Sequence, residues 1–276
     1  MPDTIADLIK ARFGLAEDTG KDRPADGVAA HLLSHRSNRR YKPDAIPAET
    51  LRIVLAAACS APAKSDLQQS AIIRATPEQQ ARVVELLPSM AWIGEASEFL
   101  LICGDSRRAR RMCEARGVPF GHEATDAFMN AAVDTALVMG WLIAAAEGEG
   151  LGTCPISGVR GPIDEIAELF GLPDLVFPVA GLTVGWPADD PPTRMRLPLS
   201  TFIHEGTYDD AHLIDDLDAY DRRRREAEPP KHDGQRMEAE YGRVDFYGWS
   251  DDKARQISIH DRPRFGPFVR ERGFKL

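Results

Sequence analysis

The side chains able to do chemistry fall into two short cationic runs and one glycine-bearing turn. His35, Arg36, Arg39 and Arg40 lie within six residues, with Ser37 among them. Guanidinium forks grip phosphate oxygens through parallel hydrogen bonds, and a serine hydroxyl adds a further donor. Arg194 and Arg196 form the second run. One residue apart in an extended segment, their side chains share a face and can close on one anion. The turn is Pro155-Ile156-Ser157-Gly158, where glycine lets backbone come close to a flat ligand. Each feature also has a plainer reading. Cations at a helix C-terminus meet the macrodipole, arginines in a loop are commonly just solvated, and glycine marks most turns. On residue chemistry alone both readings stay open.

Other chemistries fit less well. Gly150-x-Gly152 fails as a dinucleotide fingerprint, because Pro155 replaces the third glycine and a helix precedes it. His31 and His35 have helical spacing for a metal, with no third ligand at a fitting distance in sequence. There is no G-x-S-x-G turn for a serine nucleophile. Arg222 to Arg225 are flanked by Asp221, Glu226 and Glu228, which reads as a solvated helix face. The four cysteines form no C-x-x-C pair, so free thiols in a reducing cytoplasm are expected. A net charge of −9 over 276 residues disfavours a nucleic-acid partner. Residues 1–14 lack a signal-peptide core, and no run of ~18 apolar residues stands out, so neither export nor a membrane partner is expected.

The elements that must position these residues follow from periodicity and punctuation. Amphipathic helices are expected over residues 4–13, ended by Gly14, and over 26–34 and 47–60. Residues 61–68 read as a turn-rich loop, 70–74 as a short strand, and 77–87 as a helix with proline in its first turn. Residues 99–104 and 177–185 read as buried strands. Residues 126–147 form a helix apolar almost all round, which belongs in a core. A loop or strand edge over 152–158 leads to a helix over 162–170. Residues 205–245 are highly charged and read as an extended arm or surface helix, followed by helical turns near 249–260 and 267–273. Helix and strand signals interleave without a βαβ rhythm, so the expected class is α+β.

With the motifs in order along the chain, the sequence resembles the FMN-dependent nitroreductase family, and within it the oxygen-insensitive, NADPH-preferring branch that includes flavin reductases. His35-Arg36-Ser37-Asn38-Arg39-Arg40-Tyr41 resembles the opening flavin-phosphate motif, and Ser65-Asp66-Leu67-Gln68 the flavin-edge loop. Gly150-Leu151-Gly152 through Gly158-Val159-Arg160 resembles the loop over the isoalloxazine. Gly185-Trp186-Pro187-Ala188-Asp189 with Arg194-x-Arg196-Leu197-Pro198 resembles the second phosphate clamp, and Trp249-Ser250 to Arg262-Pro263 the C-terminal arm.

The resemblance implies a mixed, mostly antiparallel sheet surrounded by helices in an intertwined homodimer, with FMN at the subunit interface. It divides the chain into an N-terminal extension (1–27), an FMN-binding domain (28–204) and an arm wrapping the partner subunit (205–276). It implies that His35, Arg36, Ser37 and Arg39 hold the ribityl phosphate and nearby ring atoms, completed by Arg194 and Arg196. Gln68 would hydrogen-bond the flavin, with Ser65 close by, and Pro155, Ile156, Ser157 and Gly158 would line the ring. NADPH or NADH would deliver hydride to flavin N5, and a nitroaromatic, quinone or free flavin would then collect the electrons in a ping-pong scheme. No side chain is needed as nucleophile, because the cofactor carries the chemistry.

Departures from the family pattern mark this chain. Pro62-Ala63-Lys64 replaces a serine-rich stretch, which places the charge of Lys64 near the flavin. Met90 and Trp92 replace more polar residues where the partner subunit approaches. Arg236 and Arg243 are the arginines considered for the NADPH 2′-phosphate. The alternative to an enzyme is a flavin-binding storage or regulatory protein with little turnover.

Overall fold

A computed structural model of the chain describes residues 2–229 and 233–276; Met1 and residues 230–232, which fall in the expected extension and arm, lie outside the described residues. In chain order the first elements are α1 (Ile5–Phe13), α2 (Gly27–Leu33), α3 (Ala48–Cys59), β1 (Ser70–Arg74) and α4 (Pro77–Leu86). Then come β2 (Glu98–Asp105), α5 (Arg107–Arg116), α6 (Thr125–Gly148), β3 (Gly152–Ile156), α7 (Ile163–Leu169) and β4 (Val176–Gly185). The C-terminal part holds α8 (Leu213–Ala227), α9 (Glu238–Tyr241), α10 (Trp249–Ile257) and α11 (Phe265–Glu271). The class is α+β, as expected.

Contacts gather these elements into two units, each discontinuous in sequence. The first comprises residues 1–35 and 192–261, and the second residues 36–191 and 262–276.

The second unit is built on a four-stranded sheet of order β1-β2-β4-β3, antiparallel throughout. Parallel pairing is confined to the isolated bridges Ser37–Thr153 and Ala124–Lys275. β2 and β4 are central and covered on both faces, which is why they read as unbroken apolar runs. Alternate residues of β2 enter different clusters. Phe99, Leu101 and Cys103 join Ile163, Ile166 and Phe268 on one side. Leu100 and Ile102 join Leu51, Val54 and Leu142 on the other. Each such buried side chain contributes roughly 1.5–3 kcal/mol. Burial also pushes the Cys103 thiol up to about 12, which leaves it an inert core thiol.

α6 crosses this core. It is long and apolar enough to span a membrane by length and composition, contrary to the expectation that no such stretch exists. Its midpoint nevertheless carries the buried Asp134 and Thr135, both hydrogen-bonded to neighbouring segments of the unit. One face enters the core through Ala131, Val138 and Leu142, so the expected burial all round is not met within this chain. One stripe stays uncovered: Met129, Val133, Leu137 and Trp141, spaced four apart, are 38–59% exposed.

The expected helix over 77–87 forms because Thr76 and Gln79 make a reciprocal capping box around Pro77. α5 had no counterpart among the expected elements. It carries five arginines and no buried residue, so no apolar periodicity announces it.

In the first unit, α1 packs on α2 through Ile5, Leu8 and Ala30. Thr4 and Asp7 form its capping box, and Gly14 at φ 71° ends it. The charged region 205–245 contributes α8, whose Tyr220 is buried against the Trp249 ring at the start of α10.

Candidate functional site

In the second unit, the segment after Arg36 runs along the edge of β3. Ser37 bridges Thr153, and the Asn38 N–H donates to the Thr153 carbonyl at 2.8 Å. The close approach needs Gly152, where a Cβ would stand 2.8 Å from the Asn38 side chain. Tyr41 locks the end of the segment. Its buried hydroxyl lies 2.7 Å from the Asn38 carbonyl and 2.8 Å from Thr183 Oγ1. Burial pushes that phenol well above its ordinary value, so it stays protonated. Arg36 pairs with Asp190 and reaches the Pro191 carbonyl. Arg39 sits 5.9 Å from the centre of the Trp92 ring and near the buried Cys154 thiol. Burial raises that thiol, and the Arg39 charge offsets part of the rise.

The turn after β3 splits by side chain. Pro155 and Ser157 are exposed, whereas Ile156 turns into the core. Any contact from Ile156 to a ligand therefore comes from its backbone. Gly158 faces Met90, whose Cε would lie 3.2 Å from a Cβ placed there. Ser157 accepts a hydrogen bond from Arg262 at 3.2 Å. In sequence Arg262 stands only at the end of the arm motif, and the structure brings it to this turn.

Residues 64–69 form the most strained segment of the unit. Ser65, Asp66 and Gln68 hold φ of 50°, 57° and 52° without a glycine among them. Such conformations persist only where surroundings enforce them. The main restraint is Asp134, 1% exposed, which accepts the Lys64 N–H at 2.9 Å and the Gln69 N–H at 3.1 Å. Arg108 adds donors to the carbonyls of Gln68 and Ser70. Lys64, Ser65 and Gln68 are thereby exposed at the rim, with Gln68 bonded to Asp66 at 2.9 Å. Gln69 is buried; its Oε1 meets His122 at 2.9 Å, and its Nε2 has no hydrogen-bond partner. A cavity of about 260 Å3 opens beside this loop, lined by Pro62, Ala63, Gln68, Arg108, Asp134 and Val138.

In the first unit, the exposed Arg194 and Arg196 flank a buried Met195, so the expected alternation holds. Arg194 pairs with Glu228, which also meets Arg224. His35 is half-buried just beyond α2. The structure sets one further residue among them. Arg12, 5% exposed, donates to the carbonyls of Leu33, His35 and Arg194. A larger cavity of about 570 Å3 lies within this unit, between α8 and α10, and includes Arg243 in its lining. The Arg243 guanidinium is already engaged by Asp233 and Glu238, and that of Arg236 by Asp252.

Sequence reasoning missed Arg12, Asp134, Gln69 and Arg108. Asp134 had a signal, a carboxylate inside an apolar helix, since a buried charge needs partners. Arg12 had none, because it read as an ordinary basic residue in the last helical turn.

Comparison with known proteins places this geometry. Residues 32–186 match the nitroreductase family, and residues 194–276 match its C-terminal domain. An FMN reductase [NAD(P)H] of Bacillus subtilis is 33% identical over 254 residues, covering 90% of this chain and 98% of the relative. The solved structure of the hypothetical oxidoreductase YcnD from Bacillus subtilis superposes with a TM-score of 0.81 at 31% identity, covering 90% of this chain and 98% of that one. The NADPH:FMN oxidoreductase from Vibrio harveyi, solved with NAD+, gives 0.76 at 26% identity, covering 90% and 99%.

Proposed function

The chain belongs to the nitroreductase family, and from that premise we propose that it is an FMN-dependent NAD(P)H oxidoreductase. The observation that carries this reading is the strained, Asp134-pinned loop 64–69, which holds Lys64, Ser65 and Gln68 exposed at its rim. Strain of this kind is concentrated at ligand sites.

The residues present suit the cofactor. The first unit offers His35, Arg194 and Arg196, a cationic set matched to a phosphate. The second offers the donors Arg36, Ser37, Arg39 and Lys64, the rim residues Ser65 and Gln68, and backbone at Pro155, Ile156, Ser157 and Gly158. Gln69 Nε2 is a buried donor still to be satisfied. FMN, when bound, supplies the two-electron chemistry between a nicotinamide donor and a small acceptor such as a nitroaromatic, quinone or flavin. The protein's own part is to orient and to exclude water. Asp134 and Arg108 hold the loop rigid, and Met90 and Trp92 supply apolar walls. No side chain in either set is asked to act as a nucleophile.

The reading includes a soluble, cytoplasmic homodimer. Its support is the uncovered stripe of α6, four large apolar side chains on one face, of a kind that obligate interfaces bury. A nucleic acid does not belong to the reading, given the charge of −9, and neither does a membrane, since α6 carries the buried, hydrogen-bonded Asp134.

The purified protein is expected to be yellow and to bleach with NADPH under argon, with colour returning on addition of menadione. A colourless chain that takes up no added FMN refutes the proposal. A yellow chain that oxidises neither NADPH nor NADH points instead to flavin storage.

A further inference from the structure

Arg12 lies near the end of α1, in the segment preceding the family match. A guanidinium this buried must find acceptors for its N–H groups. It finds them on two stretches of backbone far apart in sequence. Nε and Nη2 donate to the Leu33 carbonyl at 2.9 and 2.6 Å, and Nη2 also donates to the His35 carbonyl. Nη1 donates to the Arg194 carbonyl at 3.1 Å. The Arg12 carbonyl in turn accepts the Arg196 N–H at 2.7 Å. The end of α1 is seated on the same spot, since a Cβ on Gly14 would come within 2.8 Å of Met195.

Leu33 is the last residue of α2 and His35 lies two residues on, where helical carbonyls are left without partners. Arg12 satisfies them and ties them to the strand-like segment carrying Arg194 and Arg196. We propose that Arg12 is a positioning residue for phosphate recognition: by holding the His35 and Arg194 backbone, it sets the stance of His35, Arg194 and Arg196. It thereby makes the protein select FMN over riboflavin. This rests on the FMN reading above. Arg12 does not itself contact the ligand; it acts through the backbone it braces. A planar fork is required, because a lysine ammonium cannot spread its donors over three carbonyls in one plane.

The test titrates the full-length chain, stripped of flavin by dialysis, with FMN and with riboflavin, following quenching of flavin fluorescence. Riboflavin lacks the phosphate, so it reports the ring site alone. In Arg12→Met the advantage of FMN over riboflavin is expected to shrink about tenfold or more. Riboflavin affinity should stay at the wild-type value, and the salt dependence of FMN binding should flatten. Arg12→Lys should lose part of the advantage. A wild-type FMN-to-riboflavin ratio in Arg12→Met overturns the proposal, and so does an equal fall in both affinities. Should circular dichroism show Arg12→Met unfolded, the ratio in Arg12→Lys decides: a reduced ratio supports the role, and an unchanged one refutes it. A wild-type chain that binds neither flavin refutes the FMN reading itself, and this inference with it.

Discussion

Loop 64–69 is braced by the Asp134 carboxylate, which accepts two backbone N–H groups. The stretches at 33–35 and 194–196 are braced by the Arg12 guanidinium, which donates to backbone carbonyls. Both braces are nearly inaccessible charged groups, and both bond to main chain. Their signs differ because the orphaned backbone groups differ. The turned loop brings the Lys64 and Gln69 N–H groups, five residues apart, to one point and calls for an anion. The end of a helix leaves carbonyls unpaired and calls for a cation. Which charge is buried is therefore dictated by the local backbone, before any cofactor is considered.

The comparison can be broken most directly at Asp134. Asp134→Ala leaves the buried Gln69 N–H unsatisfied and the part-buried Lys64 N–H without its acceptor, and should destabilise the protein by about 2 kcal/mol, read from urea denaturation. On the proposal that the loop serves the flavin ring, FMN and riboflavin affinity should fall together, unlike the phosphate-selective loss expected at Arg12. A variant of wild-type stability would show that the loop holds its left-handed residues unaided.

The double change Arg194→Ala, Arg196→Ala comes next. It should weaken FMN binding by roughly 1.5–3 kcal/mol per lost charged hydrogen bond, with riboflavin binding unmoved. Calorimetric titration giving unchanged FMN affinity would remove these arginines from the phosphate grip.

The smallest effect is expected where a charge is exposed. Arg264 bridges Asp164 and Glu271 at the surface, and its hydrogen bonds lower both carboxyls from ordinary values of 3.8 and 4.5. A lowered carboxyl adds stability above its unfolded value and loses it as pH falls through its folded one. The stability gap between wild type and Arg264→Ala should thus be small, full above pH 4.5, and closing as pH drops below 3.8. A gap that persists unchanged into stronger acid would mean that Arg264 acts by packing.

Much of the fold was legible from residue order. The apolar runs of β2 and β4 announce buried strands, because burial on two faces leaves no polar alternation; the all-round apolarity of α6 announces a core helix, but in this chain only one face of it is buried. α5 was illegible for the opposite reason: a helix that buries nothing leaves no period to read. In the candidate site, cations and glycines were visible as residue types. The left-handed geometry of Ser65, Asp66 and Gln68 was not, since none is a glycine and the conformation is imposed by Asp134 from sixty-five or more residues away.

The amino-acid sequence by itself determined the class, the core elements, the cationic runs around His35 and Arg194, and the family they mark. These are properties of side-chain type and spacing, which the chain carries before it folds. Only the tertiary structure decided that Ile156 turns inward, that Asp134 and Arg12 are buried, and that Arg262 reaches Ser157. Those outcomes rest on backbone N–H and carbonyl groups, which every residue possesses and which no sequence pattern distinguishes until folding leaves some of them unpaired.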